Sequence, residues 1–251
     1  MIGLCATGCD RPIARQYEYE EQVYLALDGS ATVVVNASVP ALVALRGLPL
    51  DPDPRARFDR GAVRAAYEAP GVRVVRVSRP WRRRGRRFVQ IRLAVDDIRR
   101  LGQARAFAGT SCTLSRVGDE FVYRQSPGPP PGRAVGDVGW TGDELVAFRV
   151  HMPSRVLYHN VRDLERGVAG DVERGNILTW EQRIADRLAG APLEMEARIE
   201  AHSIFRTTLW VFGLSGAAAV AVLAMSIWWM IRKGRRATGP PADPAPSSRP
   251  R

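Results

Sequence analysis

Five arginines, Arg82, Arg83, Arg84, Arg86 and Arg87, fall within six positions directly after Trp81. Guanidinium groups hold phosphate and carboxylate oxygens in forked pairs, and a neighbouring indole can enter a headgroup layer. The cluster therefore reads as a binding site for an anionic lipid or an envelope glycan. An ordinary solvated turn in an arginine-biased chain would carry the same residues, since Lys233 is the only lysine.

The other reactive residue types are scattered. His151, His159 and His202 lack any metal-ligand spacing, and Cys5, Cys9 and Cys112 form no C-x-x-C. Ser215 falls in GLSG, which is not the spacing of a nucleophile elbow. Asp96-Asp97 reads as a helix cap, and Glu18, Glu20 and Glu21 as a solvated strand face. No phosphate-binding loop or dinucleotide fingerprint is present. These residues imply no metal, no cofactor and no catalytic site, so the chain is expected to bind, either an anionic lipid or glycan or another envelope protein, rather than to catalyse. The rival readings are a hydrolase whose catalytic residues come from separate loops, and an accessory subunit of a membrane complex. Convergent polar side chains in a pocket would favour the hydrolase; an apolar groove beneath the arginine tip would favour lipid binding.

The elements that must position the arginines alternate strand and turn. Tyr17, Tyr19, Val23, Leu25 and Leu27 share one face of a strand, with Glu18, Glu20 and Gln22 opposite. Asp28-Gly29 supplies a tight turn, and TVVVNA (32–37) returns as its partner. Ser38, Pro40 and Gly47 bracket a short helix as cap, first-turn proline and terminal glycine. A second helix is predicted over 60–69. Strands 72–78 and 88–95 form a hairpin with PWRRRGRRF between them, and Asp96 or Asp97 caps a helix running to about Phe107. A third hairpin, 110–117 with 120–125, turns at Gly118-Asp119. Residues 126–142 are a Pro/Gly-rich loop. Strand 145–151 follows and is expected to pair with 155–160. Strand 176–182, a helical turn and a last alternating strand from Leu193 to His202 complete an α+β domain of antiparallel hairpins with inserted short helices.

Thr207 to Ile231 contains no charged residue and is long enough to cross a hydrocarbon core of ~30 Å as a helix. Trp210, Trp228 and Trp229 lie near its ends, and Arg232, Lys233, Arg235 and Arg236 follow. That basic flank marks the cytoplasmic end of a transmembrane helix, placing the preceding domain outside a bacterial cytoplasmic membrane and the tail inside. Gly213, Ala217 and Ala221 fall on one stripe where a second helix could approach, as in a homodimer or a membrane complex. Alanine abundance explains the stripe equally well. The tail, 232–251, is rich in Pro, Ala and Ser and is expected to be disordered.

Of the formal charge of +11, the tail carries +5 from six basic residues and one acidic residue, leaving +6 for residues 1–206. Such an excess favours anionic surroundings, and an exported domain meets no cytoplasmic nucleic acid. Export requires a signal. Ala6-Thr7-Gly8-Cys9 resembles a bacterial lipobox, so residues 1–9 read as the remnant of a signal peptide whose start lies upstream, with Cys9 as the lipidation site. The domain proper is then 10–206, followed by the helix 207–231.

Asp28-Gly29-Ser30 at the end of the first strand, Gly175-Asn176-Ile177-Leu178-Thr179-Trp180 late in the domain, the anchor cysteine and the membrane helix together resemble the LppM-like bacterial lipoproteins. The resemblance covers most of the external domain and implies an α+β fold of unassigned activity, for which envelope-lipid binding has been suggested. It brings no catalytic residue. The chain departs from the pattern in its incomplete signal peptide and in the arginine-rich hairpin.

Overall fold

The computed structural model describes residues 15–201 and the helix 204–237, with side chains of the latter described for 212–232. Cys9, His202, the side chains of Trp210, Lys233, Arg235 and Arg236, and residues 238–251 lie outside that description. The chain divides into two units, Met1–Ser203 and Ile204–Arg251.

The first unit is α+β, as the alternation of its sequence implies. β1 (Tyr17–Leu25) and β2 (Ala31–Ser38) form the first hairpin, and α1 (Val39–Arg46) follows without a break. Ser38 Oγ accepts from the Ala41 amide, and Gly47 closes the helix in the left-handed region at φ 65°. Every residue of α1 is buried, which accords with a helix apolar on all sides. α2 (Arg60–Tyr67) is capped by Asp59, whose carboxylate accepts from the Gly61 and Ala62 amides. β3 (Val72–Val77), β4 (Trp81–Arg83) and β5 (Arg86–Val95) come next, then β6 (Ser111–Val117), β7 (Glu120–Ser126), β8 (Leu145–His151) and β9 (Val156–His159). β10 (Ile177–Arg183), α3 (Ile184–Leu188) and β11 (Met195–Glu200) complete the unit.

The strands form two sheets. One has seven strands in the order β10-β8-β1-β2-β5-β3, with β4 also on β5; the other runs β6-β7-β11-β9. All pairings are antiparallel except β1 with β8, which are parallel. Tyr19, Val23, Val33, Val35, Ile91, Leu93, Val150 and Leu178 fill the inner face of the large sheet. They share one core with Tyr123, Met195, Ala197 and Ile199 of the small sheet.

Three expectations change. β9 pairs with β11 in the small sheet, not with β8, because β1 and β10 already occupy both edges of β8. The segment after Asp97 forms two 3-10 turns, 98–103 and 105–107, instead of an α-helix, although Asp97 does cap it by accepting from the Arg99 amide. Gly102 lies in this stretch with the Thr110 carbonyl packed where a side chain would start, which favours the tighter turn. The acidic run of β1 is not a solvated face: Glu21 is fully buried and Glu18 is 5% exposed.

The second unit is α4 (Ile204–Ala237). Its stretch Phe212–Arg232 is 21 residues with mean hydropathy 1.9, long and apolar enough to cross a membrane. Gly213, Ala217 and Ala221 lie on it, exposed like every other described side-chain position of the helix.

Candidate functional site

The connection between β3 and β5 is itself a hairpin. Trp81 pairs with Phe88, Arg82 with Arg87 and Arg83 with Arg86, around a two-residue tip at Arg84-Gly85. Both tip residues have positive φ, 48° and 74°, the signature of a primed turn that matches the twist of its strands. A non-glycine residue at that first position is disfavoured, so the tip holds Arg84 at some conformational cost.

Two like-charged pairs directly opposed across a ladder repel unless something neutralises them. The structure resolves this unevenly. Arg87 turns inward, 7% exposed, and donates to the backbone carbonyls of Asp51 (2.9 Å) and Ala56. Arg82 stays exposed and reaches the Pro54 carbonyl at 3.3 Å. On the other face, Arg86 forms a largely buried ion pair with Glu18 at 2.8 Å and donates to the carbonyls of Val138 and Gly139, both at 3.2 Å. Arg83 and Arg84 are exposed and have no hydrogen-bond or ion-pair partner among the described residues. The five arginines are therefore not one solvated cluster. Arg86 and Arg87 belong to the fold, while Trp81, Arg83 and Arg84 present free surface and Arg82 is lightly tethered.

Trp81 and Arg83 stand at the rim of a cleft on the outer face of the large sheet. One lobe, about 480 Å³, lies over Tyr17, Glu20, Asn36, Phe88 and Arg149. A second, about 590 Å³, lies between Arg83, Arg84, Arg86 and Glu18 and the chain at 139–145. Trp81 and Phe88 are stacked at 6.1 Å between centroids. The floor of the first lobe is a chain of hydrogen bonds crossing the sheet. Gln90 donates to Asn36 (2.9 Å), Asn36 to Glu20 (3.1 Å), and Arg149 to Glu20 (2.9 Å) and to the Tyr17 hydroxyl (3.3 Å). Tyr17 in turn donates to Glu181 at 2.5 Å, and Arg15 pairs with the same carboxylate. Burial and the Glu181 hydrogen bond push the Tyr17 hydroxyl well above the usual phenol range. The cleft is thus polar, with the convergent side chains expected of the hydrolase alternative and without the apolar groove that an acyl chain would need.

The wall facing the arginines is a strap, the irregular segment between β7 and β8. Trp140 Nε1 donates to the second oxygen of Glu18 at 3.2 Å, and Arg86 holds the two preceding carbonyls. Glu144 accepts from the amides of Thr141 and Gly142. Desolvation pushes its pKa up, but those amides and nearby Arg86 outweigh it and hold the carboxyl below the usual range. The strap's start is fixed by Arg187, which donates to the carbonyls of Pro127 and Gly128. Gly128 has φ 65°, and a Cβ there would lie 2.4 Å from the Gly109 carbonyl oxygen.

Arg46 and Trp140 escaped the sequence reading, and Glu18 and Glu21 were read there as solvated. Only Glu21 left a signal, because it shares parity with Tyr19 and Val23 on the apolar face. The two described histidines do not converge: His151 stacks on Tyr24 at 4.0 Å, with its pKa lowered by burial and by Arg149, while His159 lies in the other sheet. The Cys112 thiol is buried and pushed up by that burial. Among the described residues no group of three or more His, Cys, Asp or Glu could hold a metal ion.

Fold and site together define an α+β domain with a polar, arginine-rimmed cleft, followed by an apolar helix of membrane-spanning length. No protein-family model matches the chain, and no curated protein matches it. Among solved structures, it is similar to the folded domain of Mycobacterium tuberculosis LppM, determined by NMR. The match covers 77% of this chain and 95% of that one, at 15% identity and a TM-score of 0.37, a distant likeness.

Proposed function

We propose that this is a membrane-anchored protein whose α+β domain binds an anionic ligand, a lipid headgroup or a glycan, without transforming it. The observation that carries the reading is the hairpin rim: the guanidinium groups of Arg83 and Arg84 have no partner among the described residues, beside a Trp81 that is 42% exposed, at the mouth of a cleft. Unpaired guanidinium groups next to an exposed indole suit a charged, hydrated interface. The acids and bases of the cleft are engaged with one another, Glu20 with Arg149, Glu18 with Arg86 and Glu181 with Arg15 and Tyr17, which leaves Arg83 and Arg84 as the groups offered to a ligand. The charge-free stretch of α4 and the basic residues after it support an orientation with the domain outside the cytoplasmic membrane.

The test uses the full chain in neutral phosphatidylcholine nanodiscs, mixed with separate vesicles. Vesicles containing anionic lipid should capture the discs, neutral vesicles should not, and salt should reverse capture, because the attraction fades over a Debye length of ~8 Å at physiological salt. Serine at Arg82, Arg83 and Arg84 together should abolish most of the capture. Serine at Arg99, Arg100 and Arg105 is the control for bulk charge, and equal loss in both triple variants would sink the reading.

A further inference from the structure

The lobe beside the strap carries unequal charge. Arg15 is taken by Glu181 and Glu165, and Asp143 by Arg183. What remains is Arg83, Arg84 and Arg86 against the carboxylates of Glu18 and Glu144, three cations to two anions, so the lobe keeps a positive excess. Arg83 and Arg86 are directly opposed across the ladder, so they converge on the same lobe.

Arg86 is also only half used on one side of its fork. Glu18 takes Nη2, while Nε, on the same edge of the guanidinium, is buried and has no partner among the described residues. A carboxylate that satisfied this edge in full would accept from both nitrogens. Glu18 cannot, because its second oxygen is held by Trp140 Nε1.

From these facts we infer that the Arg83–Arg84–Arg86 lobe is a site for a dianionic tetrahedral oxyanion, by chemistry a phosphate monoester, which takes Arg86 in competition with Glu18. The inference rests on the anionic-ligand reading above and narrows it. A doubly charged group gains from all three guanidinium groups, and a tetrahedral one can span the Nε–Nη2 edge of Arg86 while reaching Arg83, where guanidinium forks fit phosphate best. The same displacement acts on the strap. Arg86 and Glu18 each hold it, through the carbonyls of Val138 and Gly139 and through Trp140. The carbonyls sit on Nη1 of the same rigid guanidinium, so a ligand that draws Arg86 away from Glu18 moves Nη1 with it, and binding loosens residues 136–142.

The experiment titrates the full chain in non-ionic detergent with methyl phosphate, a dianionic monoester at pH ~8, and with dimethyl phosphate, a monoanionic diester, while following hydrogen exchange over 136–142. Methyl phosphate should bind at least about tenfold more tightly than dimethyl phosphate and should speed exchange in the strap. Arg83→Ser should weaken methyl phosphate by about tenfold or more, whereas Arg105→Ser should not change it. Glu18→Gln, which removes the competing charge and keeps the side chain's shape, should tighten binding several-fold. Thermal unfolding checks that this variant is folded; if it is not, Arg83→Ser and the strap exchange decide the matter. Equal binding of the two esters, indifference to Arg83→Ser, or unchanged exchange on binding each overturns the proposal.

Vesicles separate the sources of the phosphate. Preference for phosphatidic acid over phosphatidylglycerol at equal charge places the monoester on a lipid. Methyl phosphate binding without that preference places it on a soluble ligand or a glycan. Capture by both lipids alike, with no methyl phosphate binding, leaves the membrane-surface reading standing and removes this one.

Discussion

Glu21 and Arg46 meet at 2.5 Å with their side chains 0% and 4% exposed, joining the middle of β1 to the last residue of α1. Around them Tyr19 donates to Glu21 at 2.7 Å, Arg46 Nε donates to the Tyr19 hydroxyl at 2.8 Å, and Gln125 of β7 donates to the other Glu21 oxygen at 2.8 Å. Arg46 also lies 4.9 Å from the ring centroids of both Tyr19 and Phe107. The pair therefore ties the large sheet, α1 and the small sheet at one buried point.

Removing one partner of such a pair leaves the other charge buried and unpaired. Arg46→Met should cost about 3–5 kcal/mol in chemical denaturation. The double variant Glu21→Leu with Arg46→Met should recover part of that loss, the remainder being the stranded amide of Gln125. A single-variant loss below ~1 kcal/mol would mean that the pair is open to solvent in solution.

The hairpin arginines should separate by their effect on stability. Arg87→Ser leaves the carbonyls of Asp51 and Ala56 without a donor at a buried position, a loss of about 1–3 kcal/mol for each group stranded. Arg83→Ser removes an exposed side chain and should shift stability by no more than about 0.5 kcal/mol. Equal destabilisation by both would contradict the inward turn of Arg87.

Glu144 gives the strap a pH dependence. Its carboxyl titrates below the usual range in the folded chain, so the folded state binds fewer protons there than the unfolded state. Its stabilising contribution is therefore complete above the ordinary glutamate pKa of ~4.3 and is lost as pH falls through the lower folded value. The stability advantage of the parent over Glu144→Gln should be present at about pH 6 and shrink towards about pH 3. A difference that stays constant across that window would show that the amides of Thr141 and Gly142 do not distinguish the charged form.

How much of this was written locally can be argued element by element. Alternation in β1 and β2, the glycine turns between paired strands, and the Ser38–Pro40–Gly47 frame of α1 are short-range effects of backbone sterics and side-chain parity. The uncharged length of α4 is of the same kind, because the transfer of one helix into hydrocarbon depends only on its own residues. These features were legible without coordinates. The distribution of the arginines over Trp81–Arg87 was not, because the same residue type is solvated at Arg83 and buried at Arg87. The difference lies in the carbonyls of Asp51 and Ala56, which another part of the chain brings there. Non-local pairing was equally out of reach: β1 lies parallel to β8 and β9 joins β11, choices made by which sheet edges remain free once the hairpins have formed. Parity alone put Glu21 among apolar residues, but its survival there needs Arg46 and Gln125, 25 and 104 residues further along the chain. A buried charge is tolerated only when such partners arrive with the right geometry, and that is settled by the tertiary structure.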